Sequence, residues 1–317
     1  MRFLGPLAGL AVGVVLLTSH SPARASASEP IPAMPAPYVV ALDPGHGGSP
    51  GSDPTVLWDP GVVAGRLVEK DITLDLGFRL KALLEKERVK VVMTRTTDRY
   101  LEISERWNLV HASKARLFVS LHVNAFDGDP SINGLTVFYP RAESQAFAQH
   151  LEAGLAAALQ PFGVPDDGVA PKPELWVHSD IPTATVEPAY VSNAHEAGLL
   201  TRADFREAIA SGLYQGLLRA DPQIDATYQQ IVRVEQARAA RLQAERAAAA
   251  AAAARVRRWE LGGLVAAVLL LLVIALRARR RSVHARRRSG RRGRRRPYAA
   301  RDGHVRPPVR DLSEVKK

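Results

Sequence analysis

The sequence predicts an α/β fold, a single twisted, mostly parallel sheet with helices on both faces, followed by a helical stalk and one transmembrane helix. Three observations support this prediction. Short apolar runs alternate with amphipathic segments between residues 38 and 220, as in layered α/β domains. Residues 221–258 are rich in Ala, Arg, Gln and Glu, which favours a solvated helix. Residues 261–276 carry no charge and are almost long enough to cross a bilayer.

Hydrophobic periodicity locates the elements of the α/β region. Strands are predicted where short apolar runs are bounded by turn residues, and helices where apolar positions recur every three or four residues. The run at 117–122 is almost continuously apolar, as expected of a strand that is covered on both faces. The predicted strands are 38–42, 89–94, 117–122, 135–139 and 183–186, and the predicted helices are 68–87, 101–113, 142–159 and 204–218.

The amino-terminal residues 1–25 are predicted to be a signal peptide. An apolar stretch, Phe3–Thr18, precedes Ala23 and Ala25, which have the spacing of small residues at a signal-peptidase site. Only Arg2 precedes the apolar stretch, so an uncleaved anchor remains the alternative. Residues 26–37 are rich in proline and are predicted to form an extended linker that leads into a catalytic domain at residues 38–220.

The carboxyl-terminal part of the chain predicts a membrane topology. A transmembrane helix is expected at residues 259–276, with Trp259 at one interface and arginines directly after the other end. Residues 277–317 are strongly basic without apolar periodicity, which predicts a disordered tail. Because positive charge marks the cytoplasmic side, we expect the tail inside the cell and the domain before residue 260 outside it.

Charge distribution and the lack of cysteine limit the partners and the metal sites that this chain can have. The chain carries a formal charge of +11, but residues 277–317 alone hold 15 Arg and 2 Lys against three acidic residues, so the remainder is slightly acidic. The charge therefore does not indicate nucleic-acid binding by the domain, and no nucleic-acid partner is expected. The chain contains no cysteine, which excludes disulfides and thiolate metal sites, so a metal site would need His and carboxylate ligands.

Four side chains that can bind metal or transfer protons follow predicted strands or begin a helix. His46 lies in a glycine-rich loop after the first strand, His122 ends the third strand, and Glu187 ends the last one. Glu69 lies at the start of the first helix, where an acidic residue is also favoured by the helix dipole. Ligands of open α/β sheets bind at the carboxyl ends of the strands, so these residues are expected to converge. Two His and one Glu are a ligand set of hydrolytic zinc.

The order of motifs from about residue 38 to 220 resembles the zinc-dependent N-acetylmuramoyl-L-alanine amidases of the Amidase_3 type. The motifs are Asp43-Pro44-Gly45-His46-Gly47-Gly48, Glu69-Lys70-Asp71, Thr94-Arg95-x-x-Asp98, Ser120-Leu121-His122-x-Asn124-Ala125 and Glu187-x-x-x-x-Ser192-Asn193. The resemblance implies that His46, Glu69 and His122 bind Zn²⁺ and that Glu187 is the catalytic carboxylate. It also implies a substrate, the amide bond between N-acetylmuramic acid and L-alanine in peptidoglycan. The chain departs from the family pattern at Pro188-Ala189-Tyr190, at Val110-His111 and across 161–180.

Two other functions remain as alternatives, a non-catalytic peptidoglycan-binding homologue and a zinc peptidase acting on cell-wall peptides. The sequence does not identify an activator protein. Asn124, Asp43 and Ser192 are candidates for orienting the histidines. Arg95 is expected to form an ion pair with Asp98, and binding of a substrate carboxylate is the alternative.

Overall fold

The computed structural model describes residues 30–49 and 57–292, with side chains up to residue 284. The predicted signal peptide and the tail after residue 292 lie outside the described residues. The strands are β1 (Val39–Pro44), β2 (Val63–Ala64), β3 (Leu67–Val68), β4 (Lys90–Met93), β5 (Leu117–Leu121), β6 (Leu135–Tyr139), β7 (Asp166–Pro171) and β8 (Thr183–Glu187). The helices are α1 (Glu69–Lys86), α2 (Ile103–Ser113), α3 (Gln145–Leu159), α4 (Ala194–Leu200), α5 (Ala203–Ala220) and α6 (Gln223–Arg292).

Six of these strands form one sheet in the order β4-β1-β5-β8-β6-β7. Strands β4, β1, β5 and β8 run parallel to one another, whereas β6 pairs antiparallel with β8 and parallel with β7. The mostly parallel sheet predicted from the sequence is therefore confirmed. The remaining two strands, β2 and β3, form a short antiparallel hairpin immediately before α1.

Alternation along β1 shows how the two faces of the sheet are buried. Val40 and Leu42 enter the larger core, which includes apolar residues of α1, α3 and α5. Val39 and Ala41 point to the opposite face and pack with Val110 of α2 in a smaller core. Successive side chains of a strand point to opposite faces, so a strand whose residues are all buried requires cover on both. The prediction that helices cover both faces of the sheet is therefore confirmed.

The edge strand β7 and helix α4 are absent from the predicted elements. Strand β7 begins with two aspartates, contains Gly168 and ends at Pro171, a composition that disfavours a central strand. It lies at the end of the sheet order, where a proline is tolerated because one side of the strand has no partner. Tertiary pairing with β6, which local composition does not encode, places it there.

Helix α6 begins at Gln223, close to the predicted boundary between the domain and the stalk. The first turns of α6 pack on the domain, since Ile224, Ile231 and Val234 are all buried. Arg88 and Glu235 add an ion pair at 3.4 Å, and the compact unit extends to Ala240. The first turns of α6 therefore pack on the domain that is predicted to end at residue 220, because three apolar residues at helical spacing suffice to dock this helix.

Residues 241–292 form a second unit that continues helix α6. Its apolar segment is exposed along its length, with Leu264, Leu270 and Leu271 all more than half accessible, and this helix is long and apolar enough to cross a membrane. The helix continues past residue 276 to Arg292, into the segment that is predicted to be a disordered tail. Arginine has a high helix propensity, and a helix already nucleated by the apolar segment can extend through such residues.

Candidate active site

Three of the predicted site residues lie in one row along the carboxyl edge of the sheet. The register pairs Pro44 with Leu121 and Leu121 with Val186 across β1, β5 and β8. His46, His122 and Glu187 follow these positions by one or two residues, so parallel pairing brings together side chains that are distant in sequence. The convergence expected from the sequence is present.

Glu69 joins this row from the amino terminus of α1. Its side chain is 3% exposed, and its Oε2 atom accepts a hydrogen bond from the backbone N–H of Val62 at 2.9 Å. Its Oε1 atom accepts a bond from the backbone N–H of Val123 at 3.1 Å. Backbone groups just before β2 and just after β5 thus fix both carboxylate oxygens.

The ligand atoms of His46, Glu69 and His122 form a compact triangle. His46 Nε2 lies 3.1 Å from His122 Nδ1, and Glu69 Oε1 lies 3.1 Å from the first nitrogen and 3.0 Å from the second. Atoms bound at about 2.0–2.1 Å to a tetrahedral metal ion are separated by roughly 3.3 Å. The three residues therefore form a group that can hold a metal ion with little rearrangement.

The glycine-rich loop after β1 makes room for this triangle. A Cβ atom on Gly45 would lie 2.3 Å from Cε1 of His122, so the imidazole ring can occupy its position only over a glycine. His46 itself adopts a left-handed conformation with φ of 61°. That conformation is uncommon for a residue with a side chain, and such strain concentrates at functional sites.

Asp59 contacts His46 and was not identified from the sequence. Its Oδ2 atom lies 2.7 Å from Nδ1 of His46, the ring nitrogen that faces away from the triangle. A carboxylate in this position fixes the tautomer and the orientation of a metal-binding histidine. The rule that such histidines have a carboxylate partner predicts an acidic residue nearby, but the sequence does not distinguish Asp59 from Asp53.

The three residues expected to orient the histidines have other partners. Asp43 is buried and accepts hydrogen bonds from Thr94, Ser120 and Arg106, so it ties β1 to its neighbours. The side chain of Asn124 accepts a bond from the next backbone N–H, and Ser192 accepts one from Phe126. The prediction for these three residues is wrong, because each satisfies backbone or strand-end groups beside the site.

The predicted ion pair between Arg95 and Asp98 is also wrong. The Arg95 side chain is buried and donates to the carbonyls of Pro44, Gly45 and Lys70 at 2.6–2.9 Å. Asp98 instead accepts from Lys70 Nζ at 2.8 Å. A guanidinium presents several donors in a rigid fork, which suits carbonyls that converge from the end of β1 and the first turn of α1. Arg95 thus supports the loop that carries His46.

Glu187 is placed differently from Glu69. Its Oε2 atom is buried and, among the described residues, has no hydrogen-bond partner. Burial raises the pKa of Glu187 to about 7, although the nearby His122 opposes the shift. A carboxylate with a free oxygen and a pKa near neutrality is suited to proton transfer.

The pKa values of the triangle show that it attracts positive charge. Burial alone would raise the pKa of Glu69, but hydrogen bonds from His122 and His46 outweigh it and hold the pKa well below its usual range. Burial alone would lower the pKa of His46, but Glu69 and Asp59 raise it above its ordinary value. Two carboxylates around two imidazoles therefore stabilise a proton or a metal cation at this point.

The triangle opens into a cleft of ≈ 260 Å³. His46 and His122 form part of its wall, together with Arg106 from α2 and Trp176 from the segment between β7 and β8. His46 and His122, two of the three residues that could hold a metal ion, are thus accessible from one side.

Comparisons with known proteins identify the family of this domain. A model of the Amidase_3 family, described as N-acetylmuramoyl-L-alanine amidase, matches residues 40–219. The chain is 28% identical over 198 residues to the germination-specific N-acetylmuramoyl-L-alanine amidase of Bacillus subtilis, which covers 57% of this chain and 78% of that protein. It is 30% identical over 182 residues to the amidase LytC of the same organism, covering 56% of this chain and 34% of LytC.

Solved structures show the same fold. The catalytic domain of the amidase CwlV from Bacillus (Paenibacillus) polymyxa var. colistinus matches with a TM-score of 0.52 and 30% identity, over 57% of this chain and 97% of that domain. The amidase AmiC2 of Nostoc punctiforme matches with a TM-score of 0.52 and 29% identity, over 57% and 96%. This chain therefore belongs to the Amidase_3 family, the enzymes that hydrolyse the amide bond between N-acetylmuramic acid and L-alanine in peptidoglycan.

Proposed function

We propose that this chain is a zinc-dependent N-acetylmuramoyl-L-alanine amidase that acts outside the cell while its C-terminal helix holds it in the membrane. The observation that carries the proposal is the triangle of His46, Glu69 and His122 beside the buried, unpartnered oxygen of Glu187. The first three residues are the proposed metal ligands, and Glu187 is the proposed catalytic carboxylate.

The donor set favours zinc over other common cations. Two imidazole nitrogens and one carboxylate oxygen are ligands of hydrolytic zinc sites, whereas Ca²⁺ and Mg²⁺ prefer oxygen ligands throughout. Three protein ligands leave a fourth tetrahedral position for water or substrate, which distinguishes catalytic from structural zinc sites. The ligand separations of 3.0–3.1 Å are consistent with this geometry.

Glu187 would carry the proton during hydrolysis. A bound zinc ion supplies Lewis acidity toward the scissile carbonyl and lowers the pKa of water. With a pKa of about 7, Glu187 can accept a proton from the attacking water and donate it to the departing amine. The C–N bond then breaks, leaving a carboxylate on the lactyl group of muramic acid and a free amino group on L-alanine.

The geometry of Glu187 argues against a non-catalytic wall-binding homologue. A buried carboxylate without a hydrogen-bond partner destabilises a fold, and a protein that only binds peptidoglycan gains nothing from it. The alternative of a zinc peptidase has less support, because the named relatives are amidases of the muramoyl–alanine bond.

The exposed helix supports attachment to a membrane. Its apolar stretch is followed by Arg277, Arg279, Arg280 and Arg281, and an excess of arginine marks the cytoplasmic side of a span. With this orientation, the tail is cytoplasmic and the domain faces peptidoglycan. Juxtamembrane arginines also contact anionic lipid headgroups, which accounts for the basic tail without a nucleic-acid partner.

The proposal is tested by digesting purified peptidoglycan with the full-length protein in detergent and identifying the products by mass. We expect free stem peptides that begin with L-alanine, loss of their release after chelation, and recovery when Zn²⁺ is returned. Release of sugar fragments or of shortened peptides would instead show a different bond specificity. The Glu187→Gln protein serves as the control for contaminating hydrolases.

A further inference from the structure

A second cavity, of ≈ 490 Å³, adjoins the cleft that is lined by His46 and His122. The two cavities share three wall residues, Ile103, Glu174 and Trp176. They therefore form one groove that leads away from the triangle between α2 and the segment that joins β7 to β8. The volume lies within the range of about 300–1,000 Å³ typical of sites that bind small molecules.

The walls of this second cavity combine aromatic and aliphatic surface with a few polar groups. Trp107 from α2 and Trp176 from the connecting segment contribute indole rings, and Ile103 and Val177 contribute aliphatic side chains that are 64% and 52% exposed. Asn108 supplies an amide that can donate and accept hydrogen bonds. Sites that bind organic ligands have this composition.

The backbone of Trp176 is strained. It adopts a left-handed conformation with φ of 54°, which is an outlier for a bulky residue. Its ring packs edge-on against Phe118, with the centroids 4.7 Å apart, and the residue is 9% exposed. Backbone strain of this kind concentrates at ligand clamps, and here it positions the indole at the junction of the two cavities.

The charge of the cavity distinguishes between the two halves of the substrate. Glu174 and His178 are the titratable side chains that line the cavity, and no lysine or arginine lines it among the described residues. A stem peptide carries several charged groups and would need several charged partners along this wall, whereas an N-acetylglucosamine unit is neutral and needs none. The apolar face of a pyranose ring also stacks on indole rings, while its hydroxyl and acetamido groups match polar side chains such as Asn108.

On this basis, we propose that the second cavity binds the glycan strand, receiving the N-acetylglucosamine unit next to the muramoyl residue whose amide is hydrolysed. This inference rests on the proposed amidase function and assigns Trp107 and Trp176 as residues that select substrates with an extended glycan. The stem peptide then leaves the metal-binding cleft in a different direction.

The test compares two soluble substrates that share the scissile bond, a muramoyl peptide with one sugar and a peptide-bearing tetrasaccharide. The variants are Trp107→Ala and a matched control, Leu109→Ala, on the same helix but outside both cavities. For Trp107→Ala we expect kcat/KM to fall roughly tenfold on the tetrasaccharide, equivalent to about 1.4 kcal/mol, with little change on the single-sugar substrate. Leu109→Ala should match the wild type on both.

A binding measurement separates this inference from the proposed function. Tri-N-acetylchitotriose, which has no peptide, is titrated into the full-length protein with calorimetric detection, and Trp107→Ala and Val177→Ser should each weaken its binding. Equal losses by Trp107→Ala on both substrates, or binding of free stem peptide in place of the trisaccharide, would overturn the glycan assignment. Failure of the wild type to cleave either substrate would reject the amidase function, whereas the titration would still report on the cavity.

Discussion

Replacing Glu187 by glutamine should abolish most activity while it increases stability at alkaline pH. Glutamine has the same shape but cannot accept the proton, and general acid–base catalysis contributes about 10²–10⁴ in rate. We therefore expect kcat to fall by that factor, equivalent to about 2.7–5.5 kcal/mol of transition-state stabilisation. Glu187 is not part of the ligand triangle, so zinc content should remain at the wild-type level.

The stability effect follows from the raised pKa of Glu187. The pKa of Glu187 rises from 4.5 to about 7 on folding. Between these pH values the carboxyl is therefore protonated more often in the folded protein than in the unfolded protein. The free energy of unfolding therefore falls as pH increases through this interval, and the full loss, on the order of 3 kcal/mol, is present above about pH 8. Glutamine does not titrate. The free energy of unfolding of the variant should therefore exceed that of the wild type by this amount at pH 8 and by almost nothing near pH 4.

These expectations can be checked on chelator-treated protein in detergent, by denaturant unfolding followed by tryptophan fluorescence at several pH values. Zinc content and peptide release are measured in parallel on zinc-loaded protein. His46→Ala is the contrasting variant, because it removes one of three ligands and should lose zinc together with activity. Equal zinc loss in both variants, or a stability difference that does not depend on pH, would refute the assignment of Glu187.

Three further predictions concern the support of the metal site and the membrane topology. Asp59→Asn should weaken zinc affinity by about 10–100-fold with little change in secondary structure, measured by competition with a chromogenic chelator, because the carboxylate fixes the His46 ring. Gly45→Ala should reduce zinc binding more than it reduces stability, since its Cβ would lie 2.3 Å from the His122 ring; unchanged zinc affinity would contradict the close contact. The chain has no cysteine, so Ser131→Cys and Ser282→Cys can be labelled singly in intact cells, and an impermeant maleimide should react only with the first.

The order of most elements was predictable from the sequence because it depends on local patterns, whereas the identity of the proposed ligands came from the resemblance of the motif order to a known family. Period-two and period-3.6 hydrophobicity located the strands and helices around β1, α1 and β5, and polar residues directly after buried strands marked His46 and His122. The sequence also predicted the apolar segment of α6, because an uncharged run of this length, flanked by Trp259 and by arginines, is typical of a membrane span.

The partners of polar side chains were decided only by the tertiary structure. Asp59 rather than Asp43 contacts His46, and Arg95 binds loop carbonyls rather than Asp98, because hydrogen-bond partners depend on which chain segments the sheet register places side by side. The edge strand β7 and the docking of Ile224 likewise depend on distant partners. Local propensity determines which element a segment forms, whereas burial and the need to satisfy each buried polar group determine what that element contacts.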